Sequence, residues 1–333
     1  MKRRNIVIGL AVVTLAGSFA LVKATNVSSG EGSGILPAPP TAAEKDLAAK
    51  IEGYVRGLAL DVGTRNVRRA GTMAEAVDWL GYELDSLGYD PVYDEWVVDG
   101  QRCVNFEITF PGRGLSHETV VVGAHYDSYR KSPCAEATAT PTAALLVLLD
   151  RLRGHTFERT TSFVFFANGE YPQRGTEDWG AARWATRAKA NQDDIVAMLA
   201  VGPLGSFSDE PGSQDFIFPW NLTWPGTGDF VAIFGHPRSR KLIKRTVDLW
   251  KQGSDIPVVA GAVPSWVPGM QSSDHDAFQA EGFPAVLLSD TGPARFEDIR
   301  TVYDQFHRLD YERMARAVLH LEKLVTALVR EGP

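Results

Sequence analysis

Cysteine is nearly absent from this chain, with 2 in 333 residues. Cys103 and Cys134 are too few for a disulfide framework or for the repeated cysteine pairs of a structural zinc module. A single bond between them is the most the chain can form, and sequence separation does not say whether they meet. A basic excess is missing too: 34 Lys and Arg stand against 41 Asp and Glu, a net charge of -7. With no basic stripe, broad nucleic-acid binding is excluded. No nucleophile-elbow motif occurs, and Ser273-Asp274-His275 only places triad residue types side by side, where a relay cannot form. Internal repeats are lacking. A long apolar run occurs at the N-terminus, where Lys2, Arg3 and Arg4 precede Ile6 to Val22. That pattern predicts an export signal cleaved after Ala24, giving a periplasmic or secreted protein; left uncut, the run is a short membrane anchor, the one route to a membrane.

What remains is ordinary globular material, 44% hydrophobic and 23% charged, enough for a large α/β core. Residues 1–24 are the signal or anchor, 25–40 read as a flexible Ser/Gly-rich then Pro/Ala-rich linker, and 41–333 form one domain. Apolar residues recur at helical spacing from Thr41 to Leu58 and from Met73 to Leu87, the second run closed by Gly88. Pro91 to Val98 and Arg102 to Phe110 alternate as an antiparallel pair around Asp99-Gly100. Strands and helices then alternate: strands at Thr119 to Val122, Thr161 to Ala167, Ile195 to Val201, Phe230 to Phe234 and Ala285 to Leu288. Helices fall at Thr142 to Leu152, Gly180 to Ala190, Arg238 to Lys251, Ser273 to Ala280 and Tyr311 to Arg330. This order predicts a three-layer sandwich, a central mixed and mostly parallel sheet flanked by helices, with functional residues at the carboxyl ends of strands.

Two such strand ends carry chemistry. After Thr119 to Val122 comes His125-Tyr126-Asp127-Ser128, where a carboxylate two residues on can orient an imidazole, as metal sites require. After Thr161 to Ala167 comes Asn168-Gly169-Glu170-Tyr171-Pro172, which brings a carboxylate beside the histidine if the strands are neighbours. Each motif alone is an ordinary loop.

Taken in order, HYDS, PCAEATATPTAALL, FVFFANGEYP, DIVAML, SFSDEPGSQ, SSDHDAF, GFPAVLLSDT and LDYERMA resemble the secreted zinc exopeptidases of metallopeptidase family 28, over Thr41 to the C-terminus. That group includes bacterial leucyl aminopeptidases, and glutaminyl cyclases are related to it. The resemblance implies two zinc ions ~3.5 to 4 Å apart that share a carboxylate and a nucleophilic water. It also implies a glutamate that takes the water's proton.

Position by position, the resemblance places His125 as a ligand of the first metal, Asp127 as its orienting carboxylate and Glu170 as a ligand of the second. The bridging carboxylate falls on Ala137, the general base on Gly169, a further ligand on Gly202 and the last ligand histidine on Arg300. Asp274 and His275 fall where the family lines its substrate cleft. Two ligands do not reach the three protein donors that zinc catalysis needs. Glu136, next to the bridging position, and Cys134 as a thiolate are the available substitutes. Phe216 to Trp224, with Trp266, offer an apolar wall, and Arg300 is expected to replace a metal by pairing with Glu170 or Asp127. The expectation is a protein with no zinc or weakly bound zinc, a pseudo-peptidase that binds a peptide, an amino-terminal group or a protein. The alternative is a zinc aminopeptidase with a rearranged, single-metal site.

Overall fold

The computed structural model describes residues 17–30, 38–264, 267 and 273–333. Its centre is a nine-stranded mixed sheet in the order β1-β8-β7-β9-β6-β4-β5-β3-β2. The strands are β1 (Asn26–Ser29), β2 (Val92–Val98), β3 (Gln101–Phe110), β4 (Gly112–His125) and β5 (Phe157–Phe166). They continue with β6 (Asp194–Val201), β7 (Val231–Gly235), β8 (Val258–Ala262) and β9 (Ala285–Ser289). The middle four, β5, β4, β6 and β9, run parallel, whereas β2, β3 and β1 attach antiparallel to their neighbours. The parallel strands read as continuous apolar runs because both their faces are covered.

One face carries α1 (Ala42–Arg56), α2 (Thr72–Ser86), α3 (Thr140–Leu152), α5 (Arg240–Gly253) and α7 (Tyr311–Glu331). Their apolar stripes close the main core, in which Leu80, Leu145, Leu149 and Leu321 are fully buried. The other face carries α4 (Gly180–Asn191) and α6 (His275–Ala280) over Val121, Val164, Phe166 and Met198. At fully buried positions each large aliphatic or aromatic side chain contributes roughly 1.5 to 3 kcal/mol.

The start of α1 is written in its sequence. Thr41 Oγ1 accepts from the Glu44 backbone N–H at 3.2 Å, and Glu44 Oε2 accepts from the Thr41 N–H at 2.7 Å. These reciprocal bonds satisfy two otherwise free helix donors. Arg316 on α7 donates to the same carboxylate at 2.9 Å, which ties the first helix to the last.

Three sequence readings change, and the open question of the two cysteines is answered. Asn26–Ser29, assigned to the linker, form edge strand β1 against β8, and residues 17–25 before it are helical. Val22 is buried beside Trp220 and Trp224, the Trp220 indole donates to Thr25 Oγ1 at 3.0 Å, and Arg240 donates to the Ala24 carbonyl at 2.8 Å. A four-residue strand held by distant partners has no periodicity of its own to detect. The first strand of the parallel set spans 14 residues rather than the core segment Thr119 to Val122, because its exposed first half is polar. Val258–Ala262, with no assigned element in the sequence reading, is strand β8. Cys103 and Cys134 are buried free thiols, so the disulfide is not formed. The apolar run before residue 17 and Trp266 lie outside the described residues.

Replacing Thr41 by Ala should lower the unfolding free energy by about 1 kcal/mol, seen as a shift in the urea midpoint at unchanged slope. The backbone N–H of Thr41 and the side chain of Arg316 hold the Glu44 carboxyl down at about 2, from its usual 4.5. Because this folded value is depressed, the stability it confers is present above pH 4.5 and lost as pH falls towards 2. The gap between wild type and Glu44→Gln should therefore close over that interval.

Candidate functional site

The carboxyl ends of β5, β4, β6 and β9 face one cleft, as the crossover rule for open α/β sheets requires. β4 and β5 are parallel neighbours with His125 opposite Phe166, so the histidine loop and the Glu170 loop lie side by side. His125 Nδ1 lies 3.1 Å from Asp127 Oδ1. The same carboxylate accepts from the backbone N–H of Gly169 at 2.6 Å and of Glu170 at 3.0 Å. Asp127 thus orients the imidazole and staples the two loops. Burial opposes a charge on His125, but the carboxylates of Asp274 and Asp127 outweigh it and raise its pKa.

Gly169 has no room for a side chain. A Cβ built there would lie 2.1 Å from His125 Cγ and 2.5 Å from Nδ1. The imidazole ring therefore packs against the Gly169 backbone, and the ring and any side chain at 169 exclude each other in this arrangement.

The other wall is a π-helical stretch, Ala135–Ala139, ahead of α3. Asp304 clamps it, accepting from the N–H of Glu136 at 2.6 Å and of Ala137 at 3.4 Å, and also from the Arg300 N–H at 2.9 Å. Behind it the fully buried Arg65 donates to the carbonyls of Tyr126, Gly63 and Pro133 and to Thr138 Oγ1. One guanidinium so fixes the HYDS loop to the PCAE loop. Arg300 takes a left-handed backbone conformation, φ 62°, and its Nε donates to Glu170 Oε1 at 2.6 Å. The expected pairing of Arg300 with a carboxylate is present, with Glu170 as the partner.

A dinuclear zinc centre does not fit these residues. Ala137 and Gly202 face the cleft without a donor atom, Glu170 is engaged by a cation, and Gly169 cannot carry a base. Among the described residues no three His, Cys, Asp or Glu are placed to hold an ion. Neither substitute ligand points inward. Both Glu136 oxygens accept from the Gly205 N–H, at 3.2 and 3.1 Å. Burial and then the neighbouring Asp290 push its carboxyl well above the usual range, which disfavours the anion a metal ligand needs. Burial likewise pushes the Cys134 thiol up to about 12, away from the thiolate that binds zinc.

The cleft has a volume of ≈ 610 Å³. Phe216, Ile217, Phe234, Val201 and Leu287 supply an apolar side; His125, Glu170, Arg174, Ser273, Ser289 and Arg300 supply polar groups. Phe216 and Ile217 thus line it as expected, but Trp220 and Trp224 are buried in the core behind. Asp274 and His275 do not line it. Both are fully buried at the start of α6, and Ser273 presents the surface instead. Asp274 accepts from the Trp179 indole at 3.1 Å, and burial raises its pKa despite His125 and Arg174 nearby. A second cavity of ≈ 620 Å³, between Lys45, Phe207, Arg308 and Tyr311, contains none of the candidate metal, base or cleft residues placed from sequence.

Four residues of the site escape sequence reading: Arg65, Asp304, Arg295 and Arg174. Arg295 is buried with Nε on Gln214 Oε1 and Nη1 on the Ser206 and Phe230 carbonyls, and burial lowers its pKa to about 10. None of them sits in a motif. Each lies in a polar loop segment, where a charged residue gives no signal of a structural task.

The model of Peptidase family M28 matches residues 105–325. An Escherichia coli (strain K12) protein described as uncharacterized, YfbL, is 24% identical over 294 residues, which are 85% of this chain and 88% of that one. The Legionella pneumophila aminopeptidase LapA superposes with TM-score 0.68 at 17% identity, covering 88% of this chain and 74% of its own. A Bacillus subtilis zinc aminopeptidase gives 0.66 at 11% identity over 85% and 95%. A glutaminyl cyclase from Fimbriiglobus ruber gives 0.61 at 16% over 88% and 99%. At such identities these structures show a shared fold.

Gly169→Ala tests the packing directly. The added methyl must displace the His125 ring, at a cost of about 1 to 3 kcal/mol in unfolding free energy. A neutral result in chemical denaturation would mean that the ring lies elsewhere.

Proposed function

This chain belongs to peptidase family M28, and from that premise we propose that it is a pseudo-peptidase: a protein that keeps the substrate cleft and binds a peptide there without hydrolysing it. The observation that carries this reading is the Arg300–Glu170 pair at 2.6 Å. Glu170 is 3% exposed at its side chain, so its charge is compensated by Arg300 rather than by solvent. A divalent ion would have to displace that guanidinium or sit beside it. Two unit positive charges about 4 Å apart repel by roughly 1 kcal/mol in water and 4 kcal/mol at the effective dielectric of a protein surface.

Hydrolysis of a peptide needs water made nucleophilic and a group to move its proton to the leaving amine. His125 is bonded to Asp127 and Glu170 to Arg300. Gly169 offers only hydrogen where a base would be. The groups present are suited to holding a ligand: a rigid histidine and aspartate, a serine, two guanidinium groups and an apolar wall. Export completes the reading, with Lys2 to Arg4 and the apolar run after them as signal or anchor, and the ligand met outside the cytoplasm. No described helix is long and apolar enough to cross a membrane.

The test is purified full-length protein, supplemented with zinc, against a panel of aminoacyl anilides. The expected outcome is no turnover above buffer and zinc well below one ion per chain. Near-stoichiometric zinc, with turnover abolished by a chelator and by Glu170→Ala, would overturn the proposal in favour of a rearranged, single-metal aminopeptidase.

A further inference from the structure

The turn after β5 carries two opposite charges to the cleft. Glu170 opens it, and Arg174 follows with its backbone N–H on the Glu170 carbonyl at 3.1 Å. Arg174 is 7% exposed, and its guanidinium lies over the rings of Tyr171 and Trp179, with its carbon centre 5.9 and 5.5 Å from the ring centroids. Such cation–ring contacts use the charge and do not occupy the N–H groups as hydrogen bonds to oxygen would. Among the described residues Arg174 donates no side-chain hydrogen bond and forms no ion pair, and its Nη2 is a buried donor without an acceptor. Asp274, whose charge acts on it, bonds to Trp179 instead and makes no ion pair with it.

Other buried guanidiniums are placed differently. Arg65 is surrounded by carbonyl and side-chain oxygens. Arg295 also leaves Nη2 without an acceptor among the described residues, but it donates from Nε and Nη1 and does not line the cleft. Arg174 lies over two aromatic rings, lines the cleft and has no side-chain acceptor among the described residues. Arg300 adds a second source of donors: its Nε is bonded to Glu170, while its two Nη groups have no acceptor among the described residues. Of the carboxylates at the cleft, Asp127 binds His125 and two backbone N–H groups and Glu170 binds Arg300, whereas Asp215 is exposed and Asp274, buried behind, keeps one oxygen unpartnered among the described residues. Positive donors are left over, and they face a cavity whose opposite side is apolar.

We propose that the cleft recognises a carboxylate, the free C-terminal end of a peptide with an apolar last side chain, held by the guanidinium groups of Arg174 and Arg300. The acid end meets the two arginines, where charge-assisted and bidentate bonds are available. The side chain of the last residue lies against Phe216, Ile217 and Phe234. This inference rests on the reading of the cleft as a peptide-binding site and adds which end of the peptide it takes. An aminopeptidase takes the amino end, which carries the opposite charge.

The experiment is isothermal titration of the full-length protein with three probes: N-acetyl-alanyl-leucine as the free acid, its C-terminal amide, and leucinamide with a free amino group. The free acid is expected to bind, and the amide about tenfold or more weaker, since it lacks the ionised acceptor. Arg174→Gln should remove about the same factor for the acid and leave the amide unchanged, with Arg174→Lys between them. The acid-to-amide comparison on wild-type protein needs no variant and holds even if Arg174→Gln fails to fold. Equal binding of acid and amide, or binding of leucinamide alone, would overturn the carboxylate assignment while leaving a peptide-binding cleft in place. Binding of acetate as tightly as of the acylated dipeptide would overturn the assignment to a peptide end in favour of a small free acid. If no probe binds, the peptide-binding reading fails and this inference with it.

Discussion

The ion pair between Arg300 and Glu170 decides what the rest of the site can be. A carboxylate buried to this degree must be paired, because removing one partner of a buried pair costs roughly 3 to 5 kcal/mol. In a dinuclear peptidase the partner is a metal; here the chain supplies a guanidinium from the loop before α7. The left-handed backbone at Arg300 and the Asp304 clamp on its N–H aim that side chain, and the same Asp304 caps the π-helical stretch that carries Ala137. The ion pair and the stretch that carries Ala137 are therefore structurally linked. With Glu170 neutralised by Arg300, a carboxylate at 137 or 202 would add negative charge at the cleft without an ion to balance it.

Gly169 belongs to the same rearrangement. The His125 ring rests against its backbone in space that a Cβ would fill, so the absence of a base and the position of the imidazole are one packing fact. The fold around the site is not degraded: Asp127 still binds its histidine and two backbone amides, and Arg65 still joins the two loops. The scaffold around the cleft is thus intact, while Glu170, which faces it, is paired within the chain.

Much of this was legible in the residues. The helical spacing from Thr41 to Leu58, the apolar runs of the parallel strands and the Asp99-Gly100 turn are local signals, and each element they predict is present. The positions of His125, Asp127 and Glu170 followed from motif order, and so did the pairing of Arg300 with one of two carboxylates. Three kinds of feature were not legible. Strands β1 and β8 are short and depend on distant partners. Asp274 and His275 match a cleft motif by sequence but turn inward at the first turn of α6, because orientation there is set by Trp179 and the core. Arg174, Arg65, Arg295 and Asp304 act through tertiary neighbours that no spacing encodes.

The most direct measurement is a double-mutant cycle on the pair itself, using Arg300→Met, Glu170→Gln and the double variant, each unfolded in urea. If the two side chains compensate each other as described, their coupling energy exceeds about 1 kcal/mol, and the double variant is more stable than Arg300→Met alone. Additive effects, with no coupling between the sites, would contradict the account and leave Glu170 free to serve another cation.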